Sequence, residues 1–206
     1  MNRLRNPVQT RERLLQAAFA EVYANGYTGA SLDGILDTAG VTKGALYHHF
    51  GSKKALAQAM IDEMVQGMVV DSWLAPLGDT PNVIDAIQAC LNVQMEGLTP
   101  EQVQCGCPLN NLAQELSASD DDFREQIDGI YTKWRAALAN LLEEGIQSGV
   151  VRPDVDPVDV ATFVVASMAG IAGHAKASRD LALALASVRV LCEYLDTLRA
   201  PEGSPA

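Results

Sequence analysis

The sequence has few aromatic residues, few cysteines and few cations. Phe, Trp and Tyr make up 5% of the 206 residues, and strand-like alternation of apolar and polar residues is scarce. Four cysteines do not form the framework of a disulfide-stapled miniprotein, so we expect a reducing, cytoplasmic location. No run of 18 or more apolar residues is free of charge, and the N-terminus is polar. We therefore expect neither a membrane partner nor a signal peptide.

The shortage of cations, taken over the whole chain, argues against a nucleic-acid partner. The formal net charge is −11, and duplex DNA repels a polyanion. The charge is unevenly distributed, however, because residues 1–55 carry a net +3 and the remaining residues a net −14. Only the N-terminal end of the chain is suited to approach an anion.

The feature that the sequence has throughout is helical periodicity, which predicts a nine-helix, all-α protein. The first helix ends at Asn25-Gly26, and the others cover about 31–39, 42–50, 53–74, 81–98, 101–117, 120–148, 157–177 and 180–198. Ser31, Thr42 and Ser52 are natural N-caps for the second, third and fourth helices. The ends of the chain, before about Thr10 and after about Arg199, are expected to be loose.

The second and third predicted helices form a helix-turn-helix candidate, with Gly40 permitting the sharp turn. A helix N-terminus with a Thr hydroxyl offers donors to phosphate, and small side chains let a helix lie close in the major groove. Residues of these types, with a cation and two longer polar side chains, follow the turn: Thr42, Lys43, Gly44, Ala45, Tyr47 and His48. Lys53 adds a second cation at the start of the fourth helix. Short helix pairs with a glycine turn also occur in ordinary bundles.

One run decides between these alternatives: Gly40-Val41-Thr42-Lys43-Gly44-Ala45-Leu46-Tyr47-His48-His49-Phe50, followed by Ser52-Lys53. With its flanks, over residues 13–60, it resembles the DNA-binding region of the TetR family of bacterial repressors. The resemblance implies that Thr42, Lys43, Tyr47 and His48 contact operator DNA and that Lys53 holds a phosphate. Thr28 and Ser31 match positions that touch phosphate. Gly34 departs from the pattern, and a glycine inside a helix costs about 1 kcal/mol.

The resemblance also implies the organisation of the chain. A helix-turn-helix domain occupies residues 1–52, a ligand-binding and dimerisation domain residues 53–200, and a disordered tail residues 201–206. The helix from about 157 to 177 is rich in small residues, and the last helix carries an apolar stripe, so we expect two copies to join through these helices as a homodimer. A contact within one chain is the alternative.

The stretch from Cys105 to Glu115 (Cys-Gly-Cys-Pro-Leu-Asn-Asn-Leu-Ala-Gln-Glu) is similar to that of a TetR subgroup with a Gly-Cys…Asn-Leu-(Ala/Gly)-Gln-Glu motif. Members of that subgroup respond to small electrophiles, unsaturated acids or oxidants. A Cys107 thiolate near a helix N-terminus is expected to have a lowered pKa; packing as a small apolar residue is the alternative.

The candidate ligand-binding residues are Met64, Met68, Met95, Cys107, Asn110, Asn111, Gln114, Trp134, Phe163 and His174. For Trp134 and Phe163 a place in the core is the more common role, and a hydrogen-bonded core position is also expected for His174. The cysteine spacing supplies too few ligands for a metal site, and no cofactor is expected.

These observations predict a ligand-responsive transcriptional repressor that releases operator DNA on binding a small molecule or on modification of a cysteine. No enzyme activity is expected, because the sequence has no Ser-His-Asp order, phosphate loop or zinc motif. Two alternatives stay open at this point: a thiol-dependent enzyme that uses Cys107, and an acidic helical interaction module that binds no DNA.

Overall fold

The computed structural model describes residues 7–77 and 82–201. In order, the helices are α1 (Pro7–Gly29), α2 (Leu32–Ala39), α3 (Lys43–Phe50), α4 (53–77), α5 (Val83–Glu96), α6 (Pro100–Cys105), α7 (Pro108–Leu116), α8 (Asp121–Gln147), α9 (Pro157–Ser178) and α10 (Leu181–Asp196). Helix α4 includes π-helical turns at Ile61–Val65 and Val70–Leu74. The described residues form no strand, although an isolated antiparallel bridge joins Val151 and Arg199.

The all-α prediction is confirmed, and the nine predicted helices are present in the described part of the chain. The sixth consists of two segments, α6 and α7, because the backbone of Gly106 has a positive φ of 74° and Pro108 starts a new helix. Helix α1 begins at Pro7, so the expectation of a loose segment before about Thr10 is wrong for residues 7–9. The predicted tail comprises residues 201–206, and all of it except Pro201 lies outside the described residues.

Short polar side chains start the N-terminal helices, as the sequence predicts. The side chains of Ser31, Thr42 and Ser52 accept hydrogen bonds from backbone N–H groups three residues later, at 3.2, 3.3 and 3.0 Å. Each of these bonds satisfies one of the donors that a helix start leaves without a partner. Local chemistry therefore fixes where α2, α3 and α4 begin.

Helix α1 is kinked at Gly26, where the backbone has φ 72° and ψ 167°. The predicted stop at Asn25-Gly26 is confirmed in this sense, since a glycine adopts a positive φ without steric cost. The chain then makes one further turn, closed by a 3.0 Å hydrogen bond from the N–H of Ala30 to the carbonyl of Gly26. This separate turn, residues 27–30, leads directly into the Ser31 cap of α2.

The chain divides into two compact units. The first contains the described residues up to Gly67 together with Asn111–Ile127, and the second contains Met68–Asn110 and the described residues from Asp128 onward. In the first unit α1 packs against α2, α3 and the start of α4 around a set of fully buried apolar side chains: Leu14, Ile35, Leu46, Leu56 and Ile61. The division into functional domains at residue 52 stays a prediction.

In the second unit α9 packs against α10 and α6, and α10 packs against α5. Val164, Met168, Val188 and Leu195 bury their side chains in this core. Both of the last two helices thus have a buried face within one chain.

Within the described ranges one helix, Pro157–Ser178, is long and apolar enough to cross a membrane by length and composition, with 33% of its apolar window buried. It is the helix α9 that contributes Val164 and Met168 to the core of the second unit. The expectation that the protein has no membrane partner stays a prediction.

Candidate DNA interface and effector residues

Helix α3 has a single fully buried side chain and exposes one polar face. Leu46 has an exposed fraction of 0% and anchors the helix in the core of the first unit. The opposite face is solvent-exposed, and Tyr47 has 46% of its surface accessible. Six of the nine residues predicted to bind DNA lie on or beside this helix, and all but the half-buried Ala45 are exposed: Thr42, Lys43, Gly44, Ala45, Tyr47 and His48.

The turn between α2 and α3 requires glycine at position 40. Its backbone has φ 61°, and a Cβ built there would lie 2.6 Å from Nη2 of Arg13. That guanidinium nitrogen donates to the carbonyl of Gly40 at 3.5 Å. The chain therefore turns sharply between α2 and α3, as the predicted helix-turn-helix requires, and Arg13 of α1 contacts the turn.

The two predicted phosphate contacts lie just before α2: Thr28 in the turn and Ser31 at the N-cap. Both are exposed. The backbone N–H of Ser31 donates to Oε1 of Glu21 at 3.0 Å. A Cβ at Gly34 would lie 3.5 Å from Oε2 of the same carboxylate, an ordinary contact. Packing does not impose a glycine at that position, and the departure from the family pattern has no steric cause.

Lys53 is directed at the protein. Its ammonium donates to the backbone carbonyls of Tyr27 at 2.8 Å and Ala30 at 2.7 Å, and it lies 4.9 Å from the centre of the Tyr27 ring. The residue is half-buried. Whether Lys53 also holds a phosphate stays a prediction.

Two carboxylates that were not predicted from the sequence contact the N-terminal helices. The first is Glu115, near the end of α7, which accepts hydrogen bonds from the N–H groups of Tyr27 at 2.9 Å and Thr28 at 2.7 Å. Burial alone raises the pKa of Glu115, but the bonds from Thr28 and Tyr27 and the charge of Lys53 together hold it below its ordinary value. The motif Asn-Leu-Ala-Gln-Glu, which ends at Glu115, was the available signal.

The second is Asp120, which accepts from the ammonium of Lys54 at 2.7 and 2.9 Å and also caps the start of α8. Asp122 accepts from the same ammonium at 2.7 Å. Hydrogen bonds to Asp120 and Asp122 raise the pKa of Lys54 to about 12, and the bond from Lys54 lowers the pKa of Asp120. Lys54 thus makes two ion pairs with α8 and its cap.

The predicted effector residues are divided between the two units. The first unit holds Met64 and Asn111, which are half-buried, and Gln114, which is exposed. The second unit holds the other seven, with a range of exposures: Met95 and Trp134 are buried, Cys107 and Asn110 half-buried, and Met68, Phe163 and His174 exposed. Their role in binding a ligand stays a prediction.

The expected lowering of the Cys107 pKa is wrong. Burial raises the pKa of this thiol, and the backbone N–H groups of Asn110 and Leu109 at the start of α7 offset that effect only in part. Asn110 itself is used for packing within the second unit, since its Nδ2 donates to the carbonyl of Ala169 at 3.2 Å. The helix N-terminus is present as predicted, but desolvation outweighs it.

The predictions that His174 and Phe163 lie in the core are also wrong. His174 is exposed, and Phe163 has 49% of its surface accessible and packs edge-on against Tyr194 at a ring-centre distance of 5.0 Å. Trp134 is in the core as expected, 5.1 Å from the ring of Trp73, and its Nε1–H has no hydrogen-bond partner among residues 7–77 and 82–201. Among the described residues no three His, Cys, Asp or Glu side chains form a group that holds a metal.

Two short helices joined by a glycine turn, with an exposed polar face on the second helix, have the arrangement of a helix-turn-helix DNA-binding protein. Residues 14–60 match the model of the bacterial regulatory proteins of the tetR family, and residues 83–190 match that of the tetracyclin repressor-like C-terminal domain. The second match alone covers more than half of the chain. The protein belongs to the TetR family.

Individual relatives agree with this assignment. An uncharacterized HTH-type transcriptional regulator of Lactococcus lactis is 33% identical over 140 residues, which is 65% of this chain and 68% of that protein. The HTH-type transcriptional repressor NemR of Escherichia coli is 28% identical over 171 residues, 83% of this chain and 86% of that one. A crystal structure of a TetR transcriptional regulator from Chloroflexus aurantiacus superposes with a TM-score of 0.85 at 28% identity, covering 96% of this chain and all of that one.

Proposed function

We propose that this protein is a cytoplasmic, homodimeric transcriptional repressor that leaves its operator when a small-molecule effector binds to the C-terminal helices. The observation that carries the proposal is the exposed face of α3. Lys43, Tyr47 and His48 lie there on a helix whose only buried side chain is Leu46. Exposed side chains of these types, in the part of the chain with a net positive charge, are suited to contact an anion.

Operator binding requires two copies. A helix-turn-helix dimer places its two recognition helices one turn of DNA apart, about 34 Å, and reads a palindrome. The second unit offers an apolar surface on α9 and α10, where Val158, Phe163, Leu185 and Val190 are 44–63% exposed. Exposed apolar side chains of this size on neighbouring helices favour contact with a second copy. We expect Val190→Glu to yield a monomer in light-scattering measurements and to abolish cooperative binding to a palindrome.

The proposed DNA contact is tested with an operator selected by the protein itself. Wild-type protein is used to enrich a random-sequence duplex library, and the selected duplex then serves for all variants in fluorescence anisotropy. Lys43→Met and Tyr47→Ala should weaken binding at least tenfold, because each removes a contact from both copies of α3. Glu12→Gln, an exposed position on α1, is the control and should not weaken binding. If the wild type enriches no sequence at low salt, the proposal fails.

The effector is proposed to be a small molecule that binds the C-terminal helices, with Cys107 as the position where a reactive one attaches. The subgroup motif supports this assignment, whereas the raised pKa of Cys107 opposes rapid reaction at neutral pH. Alkylation of Cys107 by iodoacetamide, followed by mass spectrometry, should therefore be slower at pH 7.5 than alkylation of a free-cysteine peptide and should accelerate further above pH 9. Saturation of the rate below pH 8 would contradict the raised pKa.

The same reagents separate the sensor from the enzyme that uses a thiol. Cys107→Ser should leave operator affinity unchanged and should lose the response to alkylation. Catalytic turnover of a thiol-reactive substrate by the wild type, absent from Cys107→Ser, would favour the enzyme.

A further inference from the structure

The turn at residues 27–30 is held from outside by two side chains of opposite charge. The kink at Gly26 interrupts the hydrogen bonding of α1, so the N–H groups of Tyr27 and Thr28 behave as those of a new helix start. The carboxylate of Glu115 accepts from both, at 2.9 and 2.7 Å. A carboxylate at such a position is favourable for the same reason that an acidic N-cap is.

The carbonyls of the same turn are held by Lys53. Its ammonium donates to the carbonyls of Tyr27 at 2.8 Å and Ala30 at 2.7 Å, so two of its three N–H groups are used within the protein. Charge-assisted hydrogen bonds are about twice as strong as neutral ones. The N–H groups at the start of the turn are therefore bound by a negative charge from α7, and two of its carbonyls by a positive charge from α4.

Gly26 makes room for this arrangement. A Cβ built on it would lie 2.8 Å from Oε2 of Glu115, closer than side chains tolerate, and its φ of 72° is one that other residues avoid. The glycine thus serves both the kink and the approach of the carboxylate. The turn ends at Ala30, and the next residue, Ser31, caps α2. Helix α2 is followed by α3, the proposed recognition helix.

We propose that Glu115 and Lys53 are positioning residues for DNA binding, which together fix the turn at residues 27–30 and through it the start of α2. On this proposal Lys53 acts within the protein rather than on phosphate, in contrast to the role that the family resemblance implies. Glu115 lies on α7, within residues 83–190 that match the C-terminal domain of the family. The inference rests on the proposed function, because it assumes operator binding and a shift of α7 on effector binding that would release the turn and so misplace α2.

Salt dependence separates positioning from phosphate contact. The logarithm of the binding constant falls with the logarithm of salt concentration by about 0.9 per phosphate contact, so loss of one contact in each copy lowers the slope by about 1.8. A positioning residue acts differently, because its loss reduces the fraction of protein that is competent to bind without altering the bound state. We expect Lys53→Met to bind the selected duplex at least about tenfold more weakly with an unchanged salt slope. A slope lower by about 1.8 would overturn the inference. Lys43→Met is the control that should lower the slope.

Glu115→Gln tests the inference with a change whose direct electrostatic effect on DNA affinity is opposite to the expected result. Removing a negative charge from a DNA-binding protein strengthens binding on electrostatic grounds alone. The amide has one acceptor oxygen and cannot replace both carboxylate oxygens, so the inference requires weaker binding, by about tenfold or more. Unchanged or tighter binding would overturn it. Glu12→Gln removes the same charge from an exposed position on α1 and should bind no more weakly than the wild type.

Amide hydrogen exchange tests the contact without DNA. The Tyr27 and Thr28 amides should exchange slowly in the wild type and at least about tenfold faster in Glu115→Gln, while the amides in the middle of α1 keep their protection. Equal exchange at Tyr27 and Thr28 in both proteins would overturn the inference even if no operator had been found. Failure of the wild type to select an operator, with the difference in exchange present, would overturn the proposed function and the role of the turn in DNA binding, whereas the contacts that fix the turn would stand.

Discussion

The two compact units use their surfaces in different ways. In the first unit charged side chains bind the ends of helices, as Lys53 and Glu115 do at the turn after Gly26 and as Lys54 does at the start of α8. In the second unit the conspicuous surface is apolar. Of the nine large apolar side chains exposed among the described residues, seven lie in the second unit: Met68, Val70, Val93, Val158, Phe163, Leu185 and Val190.

The difference teaches which kind of partner each unit accommodates. Charge-assisted hydrogen bonds are directional and fix backbone geometry, which a recognition helix needs because base and phosphate contacts tolerate little displacement. Apolar surface is non-directional and gains free energy in proportion to the area removed from water. The first unit is thus suited to present α3 in one orientation, and the second to associate with another copy of the chain.

The largest expected effect is that of Leu46→Ala, which tests whether α3 depends on its single buried anchor. Leu46 has an exposed fraction of 0%, and truncating a buried leucine typically costs about 2–5 kcal/mol. We expect a correspondingly lower denaturation midpoint and loss of operator binding. Tyr47→Ala, on the exposed face, should lose operator binding while retaining stability. If Leu46→Ala were as stable as the wild type, the anchor would be wrongly identified.

A smaller effect is expected in the second unit from Gly145→Ala on α8. A Cβ there would lie 2.7 Å from Cγ1 of Val83 and 2.8 Å from Cγ2 of Val151, so the core must shift. Overpacking of this kind costs about 1–3 kcal/mol. Gly129→Ala on the same helix has open space around the new Cβ and should be neutral or more stable, since alanine favours a helix over glycine. Operator affinity per folded protein should not change in either variant. Equal stability of the two variants in urea denaturation would contradict the close packing at Gly145.

Elements with local signals were predictable from the sequence. Ser31, Thr42 and Ser52 cap helices because a hydroxyl reaches the N–H three residues on, and this depends on nothing distant. Gly40 likewise adopts the left-handed conformation that its place in the motif requires. The exposed face of α3 follows from the same helix boundaries, so the candidate DNA-binding face could be located from the sequence, while its contact with DNA stays a prediction.

Properties that depend on partners far along the chain were not predictable. Glu115 meets Tyr27 across 88 positions, and no periodicity indicates that pairing. The pKa of Cys107 depends on a balance between the N–H groups of α7, visible in the sequence, and burial, which is not. His174 and Phe163 lie on an apolar helix, but only the packing of α9 shows that their side of it faces outward.

The smallest effect on stability is expected at two acidic residues, one in each unit: Asp120 in the first and Asp196 in the second. The bond from Lys54 lowers the pKa of Asp120, and bonds from Gln88 and Arg199 lower that of Asp196. A carboxylate with a lowered pKa stabilises the folded state at pH values above its ordinary pKa of 3.8, and this stabilisation is lost as the pH falls through the folded value. Melting temperatures measured from pH 6 to pH 2.5 should therefore fall less steeply in Asp120→Asn and in Asp196→Asn than in the wild type.

Both differences should be small, because the two carboxylates are accessible to solvent and exposed ion pairs contribute little. Asp120 makes a further bond as the cap of α8, whereas Asp196 is bound by side chains alone. Asp120→Asn keeps a side-chain oxygen for the cap, so its loss at neutral pH reports the ion pair with Lys54. If only Asp120→Asn flattens the acid profile, the acid-sensitive charges belong to the first unit. If neither does, the lowered pKa values have no consequence for folding, and the contrast between the two units is confined to the side chains that they expose.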